Sequence, residues 1–295
     1  MTRHQHDCRV ACKLPPKLLP PLPNLLIRSV ASLWRKQTSA LPETGLVNHF
    51  QIESIDMAHV AKYRRFFDDR GQQVPLTYFY LLAQRAQIAL MLDARFPHAI
   101  PGLIHTCNKI RFHGVYQEGI PLGVEVSVLS IRRADGAKSI VFSVDMSQGG
   151  RRIVGCVSEY RIPRRPRHNP AGQPRPETFP ETFLQEDWAF EKSRCRRYAM
   201  ISSDFNPIHL SSLLARTFGF PRAIAHGMYS VGRAAVSIER HTGRPLIELT
   251  AYFRRPILVA SKASFGFEST ATSEGDFGII LASDQQLAIT GSWSC

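Results

Sequence analysis

Tyr198-Ala199-Met200-Ile201-Ser202-Ser203-Asp204-Phe205-Asn206-Pro207-Ile208-His209 is the stretch on which the reading of this 295-residue chain turns. Asp204 and His209 are two side chains capable of acid–base work, five residues apart, with a proline between them. Proline fixes its own φ and biases Asn206 towards an extended conformation, so the loop is directed rather than floppy. A carboxylate beside an imidazole, both turned onto one water, is a standard means of activating that water and moving a proton near neutral pH. Spacing alone leaves a plainer alternative open, in which Asp204 caps a short helix and His209 lies on the surface.

The next segment, Gly219-Phe220-Pro221-Arg222-Ala223-Ile224-Ala225-His226-Gly227-Met228-Tyr229, brings glycine and small residues to the start of a helix expected over 223–241. Arg240 and His241 in its last turn and Gly243 just beyond match the preferences of a helix C-terminus. Free N–H groups and the positive helix end gather at its start, where they can receive the developing oxyanion of a polarised carbonyl. Ala223, Ala225, Gly227, Ser230, Gly232, Ala234 and Ala235 keep this helix slim. Close packing on a sheet explains the small residues, but not the neighbouring Asp/Asn/His loop.

Strand-like runs follow at 246–254, 262–269, 277–283 and 287–294. The first half repeats the plan: Val74-Pro75-Leu76-Thr77-Tyr78 leads into a Leu- and Ala-rich helix reaching Leu92, with runs at 102–112, 122–132, 139–146 and 152–160 after it. Val124, Val126 and Val128 alternate with Glu125 and Ser127, the period of a half-buried strand. A long helix followed by a four-strand meander, twice over, predicts a duplicated α+β unit with a mainly antiparallel sheet. The expected organisation is a basic, proline-rich segment over 1–45, a first unit over 46–161, a linker over 162–182 and a second unit over 183–295.

The linker region 161–182 holds six prolines and five arginines, which hold it extended as a semi-rigid spacer. Phe179 is its single aromatic, too few for a platform that stacks single-stranded nucleic acid, and no nucleic-acid partner is expected. In the N-terminal segment prolines interrupt any secretory apolar run, and a helix over 24–36 is expected to pack on the main body through Leu25, Leu26, Val30 and Leu33. No run reaches the roughly 18 apolar residues of a spanning helix, so no integral membrane segment is expected. Six irregularly placed cysteines make no disulfide framework and point to a reduced, cytoplasmic setting. His4, His6, Cys8 and Cys12 fit no standard zinc spacing, and neither metal nor cofactor is expected. His105 alternates with apolar residues along a strand and reads as a packed histidine. The net charge of +13 suits nucleic acid, a membrane surface or an anionic substrate, and composition does not choose.

Together Tyr198, Ser202-Ser203-Asp204-Phe205-Asn206-Pro207-Ile208-His209 and Ile224-Ala225-His226-Gly227-Met228 resemble the MaoC-like family of (R)-specific enoyl-CoA hydratases and 3-hydroxyacyl-thioester dehydratases. The motif-bearing resemblance covers roughly 185–295. The first half is similar to the degenerate partner copy of double hot-dog members, with Tyr63 where Tyr198 stands and Thr77 in the place of His209. The resemblance implies an α+β double hot-dog, two long helices each wrapped by an antiparallel sheet and packed as a pseudo-dimer, with room for a further homodimer. It implies Asp204 and His209 as the catalytic pair acting on water, and Ser203, Asn206, His226 and Gly227 around the substrate. Within that set Asn206 would support the loop, the Gly227 N–H would bind the thioester oxygen and His226 would be structural. The implied partner is a CoA or acyl-carrier-protein thioester; a non-catalytic acyl-thioester- or RNA-binding relative is the other class. One position departs from the family pattern: Ser203 stands where a glycine is usual, which raises the question of its φ.

Overall fold

The computed structural model describes residues 17–30, 32, 45–134, 137–162, 176–268 and 273–295. His4, His6, Cys8, Cys12, Leu33 and residues 163–175 of the linker lie outside them. The chain runs β1 (Lys17–Leu18), α1 (Leu22–Val30), β2 (Val47–Ile52), α2 (Met57–Phe67), α3 (Leu76–Met91), β3 (Ile104–Phe112), β4 (Leu122–Ala134), β5 (Ala137–Gln148) and β6 (Arg151–Ile162). The second half continues with β7 (Phe183–Ala189), α4 (Lys192–Ser202), α5 (Pro207–Leu210), α6 (Ser212–Thr217), α7 (Gly227–Thr242), β8 (Glu248–Phe253), β9 (Lys262–Glu268), β10 (Glu274–Leu281) and β11 (Leu287–Ser294).

Both halves place a strand and a short helix ahead of the long helix and four strands. The last three of these form a meander and the first lies beside the last, which corrects the expected four-strand meander. The meanders lie within a few residues of the expected runs. The leading pairs β2/α2 and β7/α4 carry a weaker apolar signal. Phe50 and Ile52 of β2 are buried while its other residues reach solvent, and β7 buries only Trp188. The strands form one sheet of order β1-β2-β4-β5-β6-β3-β8-β11-β10-β9-β7. Its pairings are antiparallel apart from β1 with β2. The halves join where β3 meets β8, from Cys107↔Tyr252 to Arg111↔Glu248. Glu248 accepts from Lys109 at 2.6 Å and from Arg111 at 2.9 Å across that seam.

The sheet wraps α3 and α7, and one apolar core runs through both halves. Nearly every turn of α3 is buried, as its Leu/Ala/aromatic composition demands. α7 is kept slim where it is touched: a Cβ on Gly232 would lie 2.6 Å from the Phe67 ring of α2. Two further expectations need correction. The helix expected from Ala223 begins four residues later, at Gly227. Backbone groups of 223–225 are already engaged by a neighbouring extended segment, with Ala225 N–H donating to Ile257 O at 2.8 Å and Val259 N–H to Ala223 O at 2.9 Å. Nor is the end of the linker a bare spacer. Phe179 lies across Gly266 and Gly278 on the face of the sheet opposite Phe265, where a Cβ would come within 2.7 and 2.9 Å of its ring. The Glu177 N–H donates to Gln285 O at 2.7 Å. At the other end of the chain α1 packs Leu22 and Leu25 on Ile88 of α3, and Arg85 ties the preceding turn through Leu19 O at 2.8 Å.

Candidate active site

The loop after α4 is set by its backbone. Ser203 ends the helix with φ 56° and ψ 18°, so the serine takes up the left-handed conformation that a glycine adopts freely. That reversal turns Asp204 inward, where it is 9% exposed. Asn206 follows in an extended conformation and accepts from the Ile208 N–H at 3.4 Å, capping α5 with Pro207 at its first position. The cap is therefore Asn206, which frees Asp204 from the capping role the spacing allowed. One turn later α5 delivers His209.

Each acid–base group is held by defined partners. Asp204 Oδ1 accepts from the Asn206 N–H at 3.1 Å, and Oδ2 accepts from Gln84 Nε2 of α3 at 2.8 Å. His209 Nδ1 lies 2.9 Å from Ile224 O. A carbonyl only accepts, so Nδ1 carries the hydrogen and Nε2 keeps its lone pair. His226 Nε2 meets Asp204 O at 3.0 Å, and its Nδ1 is buried with no hydrogen-bond partner. The two imidazoles stack with centroids 3.7 Å apart. One side-chain N or O from each of Asp204, His209 and His226 falls within 4.8 Å of the others.

Electrostatics keeps the pair in the forms a base needs. Burial opposes ionisation of Asp204, but the charge that His226 and His209 gain in acid, together with the Gln84 amide and the Asn206 N–H, outweighs it, and the carboxyl lies below its ordinary value. Burial lowers His209 below its ordinary 6.5, although Asp204 and the Ile224 carbonyl pull the other way. Burial and the neighbouring His209 lower His226 as well. At neutral pH the site therefore holds a carboxylate beside two neutral imidazoles.

His226 caps α7 without a side-chain hydrogen bond to it, so Gly227 opens a sixteen-residue helix whose first amides lack a capping side chain. Gly227 is required by close approach: a Cβ there would stand 2.5 Å from Phe253 Cε1. The Phe253 ring lies 4.9 Å from His105, which stacks between Tyr160 and Tyr80 at 4.7 and 5.6 Å. His105 is thus the packed strand histidine its alternation suggested. Beside His209 opens a cleft of about 430 Å³ whose lining includes Lys192, Arg196 and Arg222.

All six site residues taken from the sequence gather around this loop and the start of α7. Sequence reasoning misses Gln84. Its only signal is a polar stripe, Tyr80, Gln84 and Gln87, spaced i, i+4, i+7 on a mostly apolar helix.

The fold is an α+β double hot-dog, and residues 171–276, which hold the loop and the start of α7, match the family model described as "MaoC like domain". The chain is 28% identical over 229 residues to 3-hydroxyacyl-thioester dehydratase X of Mycobacterium tuberculosis, covering 76% of this chain and 79% of that one. Its structure is similar to the crystal structure of HtdX from Mycobacterium tuberculosis, with TM-score 0.69 and 26% identity, over 83% of this chain and 98% of that one. A shorter match, 29% identical over 80 residues, joins 27% of this chain to 48% of the mitochondrial 3-hydroxyacyl-[acyl-carrier-protein] dehydratase of Arabidopsis thaliana. Among the described residues no helix is long and apolar enough to cross a membrane.

Proposed function

We propose that this protein catalyses reversible hydration of trans-2-enoyl thioesters to (3R)-3-hydroxyacyl thioesters. The observation that carries this reading is the Asp204–His209 pair, a buried carboxylate beside an imidazole whose Nδ1 is committed to Ile224 O, leaving Nε2 as acceptor. Asp204 and Nε2 hold one water. Nε2 takes its proton as the hydroxyl oxygen bonds to C3, and the C2–C3 π pair moves towards the thioester carbonyl. The Gly227 N–H at the positive end of α7 receives the negative charge on that oxygen. The enolate then takes the proton back from His209 at C2, so that one water adds and the base is restored. Asn206 fixes the loop, Ser203 sets its turn, and His226 backs His209 through the ring stack. The first half contributes no second pair: Thr77 stands in the place of His209, and its Oγ1 accepts from Tyr63 OH at 3.0 Å.

Loss of the conjugated enoyl-thioester absorbance with purified protein tests the reading. Turnover by wild type and a fall of at least about a hundredfold in Asp204→Asn are expected. Absence of turnover on short, medium and long acyl chains, or full turnover by Asp204→Asn, overturns it.

The carrier is a second question. Lys192, Arg196 and Arg222 beside His209 suit the phosphates of CoA, and equally the phosphopantetheine arm of an acidic carrier protein, which favours a 3-hydroxyacyl-carrier-protein dehydratase as the second reading. Comparing kcat/KM on the same acyl group with the two carriers separates them. The buried thiols Cys156 and Cys195 are in keeping with a reducing, cytoplasmic setting.

A further inference from the structure

We infer that Gln84, on the long helix of the half that lacks a catalytic pair, is a positioning residue for Asp204, so that the active site is assembled from both halves of the chain. This rests on the hydratase reading of the Asp204–His209 loop. Gln84 donates through Nε2 to Asp204 Oδ2 at 2.8 Å, and it is the only side chain among the described residues to donate to that carboxylate. The second donor, the Asn206 N–H, holds the other oxygen, so the carboxylate plane is gripped from both sides. With one donor on each oxygen, each keeps a further lone pair, and one carboxylate oxygen lies within 4.8 Å of a ring nitrogen of His209.

The placement of Gln84 follows from the architecture. α3 is buried along most of its length, where an amide without a partner costs stability; Tyr80, Gln84 and Gln87 share a polar stripe on it. Gln87 and Tyr80 are satisfied within their own half: Gln87 donates to Ser158 Oγ at 2.9 Å and accepts from Tyr160 OH at 2.9 Å, while Tyr80 OH meets His105 Nδ1 at 3.4 Å. Gln84 alone of the three reaches across to the other half. A second bond crosses nearby, from His59 of α2, whose Nε2 lies 2.9 Å from Ile201 O at the end of α4. The half without a catalytic pair thus holds the start of the loop through one side chain and its carboxylate through another.

The groups facing Asp204 are His226 before α7, His209 on α5, Tyr198 on α4, Tyr80 on α3, Tyr160 on β6 and His105 on β3. The phenols stay protonated and His105 stays neutral near neutral pH, because burial raises the former and lowers the latter. Removing the Gln84 donor therefore acts on Asp204 without a competing titration from the phenols or His105, and it destabilises the carboxylate. Asp204 then protonates at higher pH, which adds to the acid-side loss that His209 sets and carries the acid limb upward.

The test is steady-state kinetics of the full chain on a trans-2-enoyl-CoA between pH 5 and 9. Gln84→Met keeps the volume and removes the donor. The expected result is a fall in kcat of roughly ten- to a hundredfold with KM changed little, and an acid limb displaced upward. Gln84→Glu is the second variant and keeps the test decisive if Gln84→Met folds poorly. Its introduced carboxyl donates to Asp204 as glutamine does while protonated, and repels it once ionised, so this variant approaches wild-type rate at the acid end and loses it as pH rises. A wild-type kcat and pH profile in Gln84→Met, or a Gln84→Glu profile parallel to wild type, overturns the inference while leaving the hydratase reading intact. No turnover by the wild type overturns both.

Discussion

Ser203 and Asp204 illustrate how one backbone torsion carries the site. At φ 56° the serine sits where an L-residue is strained by about 1–2 kcal/mol, and this reversal precedes the buried carboxylate that meets Gln84 of α3. Replacing it with glycine relieves that strain but adds freedom to the unfolded chain, so the two effects partly cancel. Ser203→Gly is expected to leave kcat unchanged and to raise stability by less than about 1 kcal/mol, read by denaturant melts. Its presence where the family pattern has glycine is thus compatible with an unaltered loop. At the same scale, His209 keeps its lone pair down past its ordinary 6.5 because burial lowers it. Activity is expected to hold from neutral into mildly acidic pH and to fall only below that value; an inflection of kcat/KM above pH 7 on the acid side would contradict this. Asp204, Asn206 and His209 were legible because their spacing around Pro207 is itself chemical information. Gln84 lies 120 positions from Asp204, and only the packing of one half on the other reveals it.

Among the elements, α7 is specified by absences of side chain. Gly227 admits the Phe253 ring and Gly232 admits Phe67, each at a distance a Cβ would violate. Gly227→Ala is expected to cost about 1–3 kcal/mol through overpacking. It should also displace the first amides of α7, lowering kcat beyond what stability explains. Pairing it with Phe253→Leu should recover stability in thermal melts; no recovery would mean that the ring is not the obstacle. The same glycine and alanine content obscures where α7 begins, since small residues suit both a slim helix and an extended segment. The deciding factor is the pairing of Ala223 and Ala225 with residues 257–259, which is non-local. The meander strands were legible from alternation, whereas β7 was hidden because six of its seven residues remain at least partly solvent-accessible.

For the whole molecule, buried titratable groups set the response to pH. His98 and His105 are lowered to about 4, and His209 and His226 are lowered too, chiefly by burial. Each takes up a proton on unfolding when the pH lies between its lowered value and 6.5, so its contribution is complete above 6.5 and is lost as pH falls, by roughly 1.4 kcal/mol per pH unit per histidine. Glu239, on α7, is raised by burial to about 7 and acts oppositely: its contribution is complete below 4.5 and is lost as pH rises to about 7. Four rising slopes against one falling place the maximum of stability near pH 6.5, and a melting temperature still climbing above pH 7.5 would contradict that balance. At the seam, Glu248→Ala removes two exposed-rim ion pairs and is expected to cost less than about 1 kcal/mol in denaturant melts, because the β3–β8 backbone ladder carries the joint.

That ladder has a further consequence for anyone dissecting the chain. Cutting out residues 183–295 would strip β8 of its neighbour and leave Glu248–Phe253 as a raw edge, with unpaired amides and carbonyls alternating along it. Such a fragment would seek a mate, and the nearest in kind is another fragment docked edge to edge. The resulting twin would own two Asp204–His209 loops, yet in the seat of Gln84 it would offer whatever α7 presents there. Size and turnover measured together on the fragment would tell whether a copied half can stand in for the divergent one.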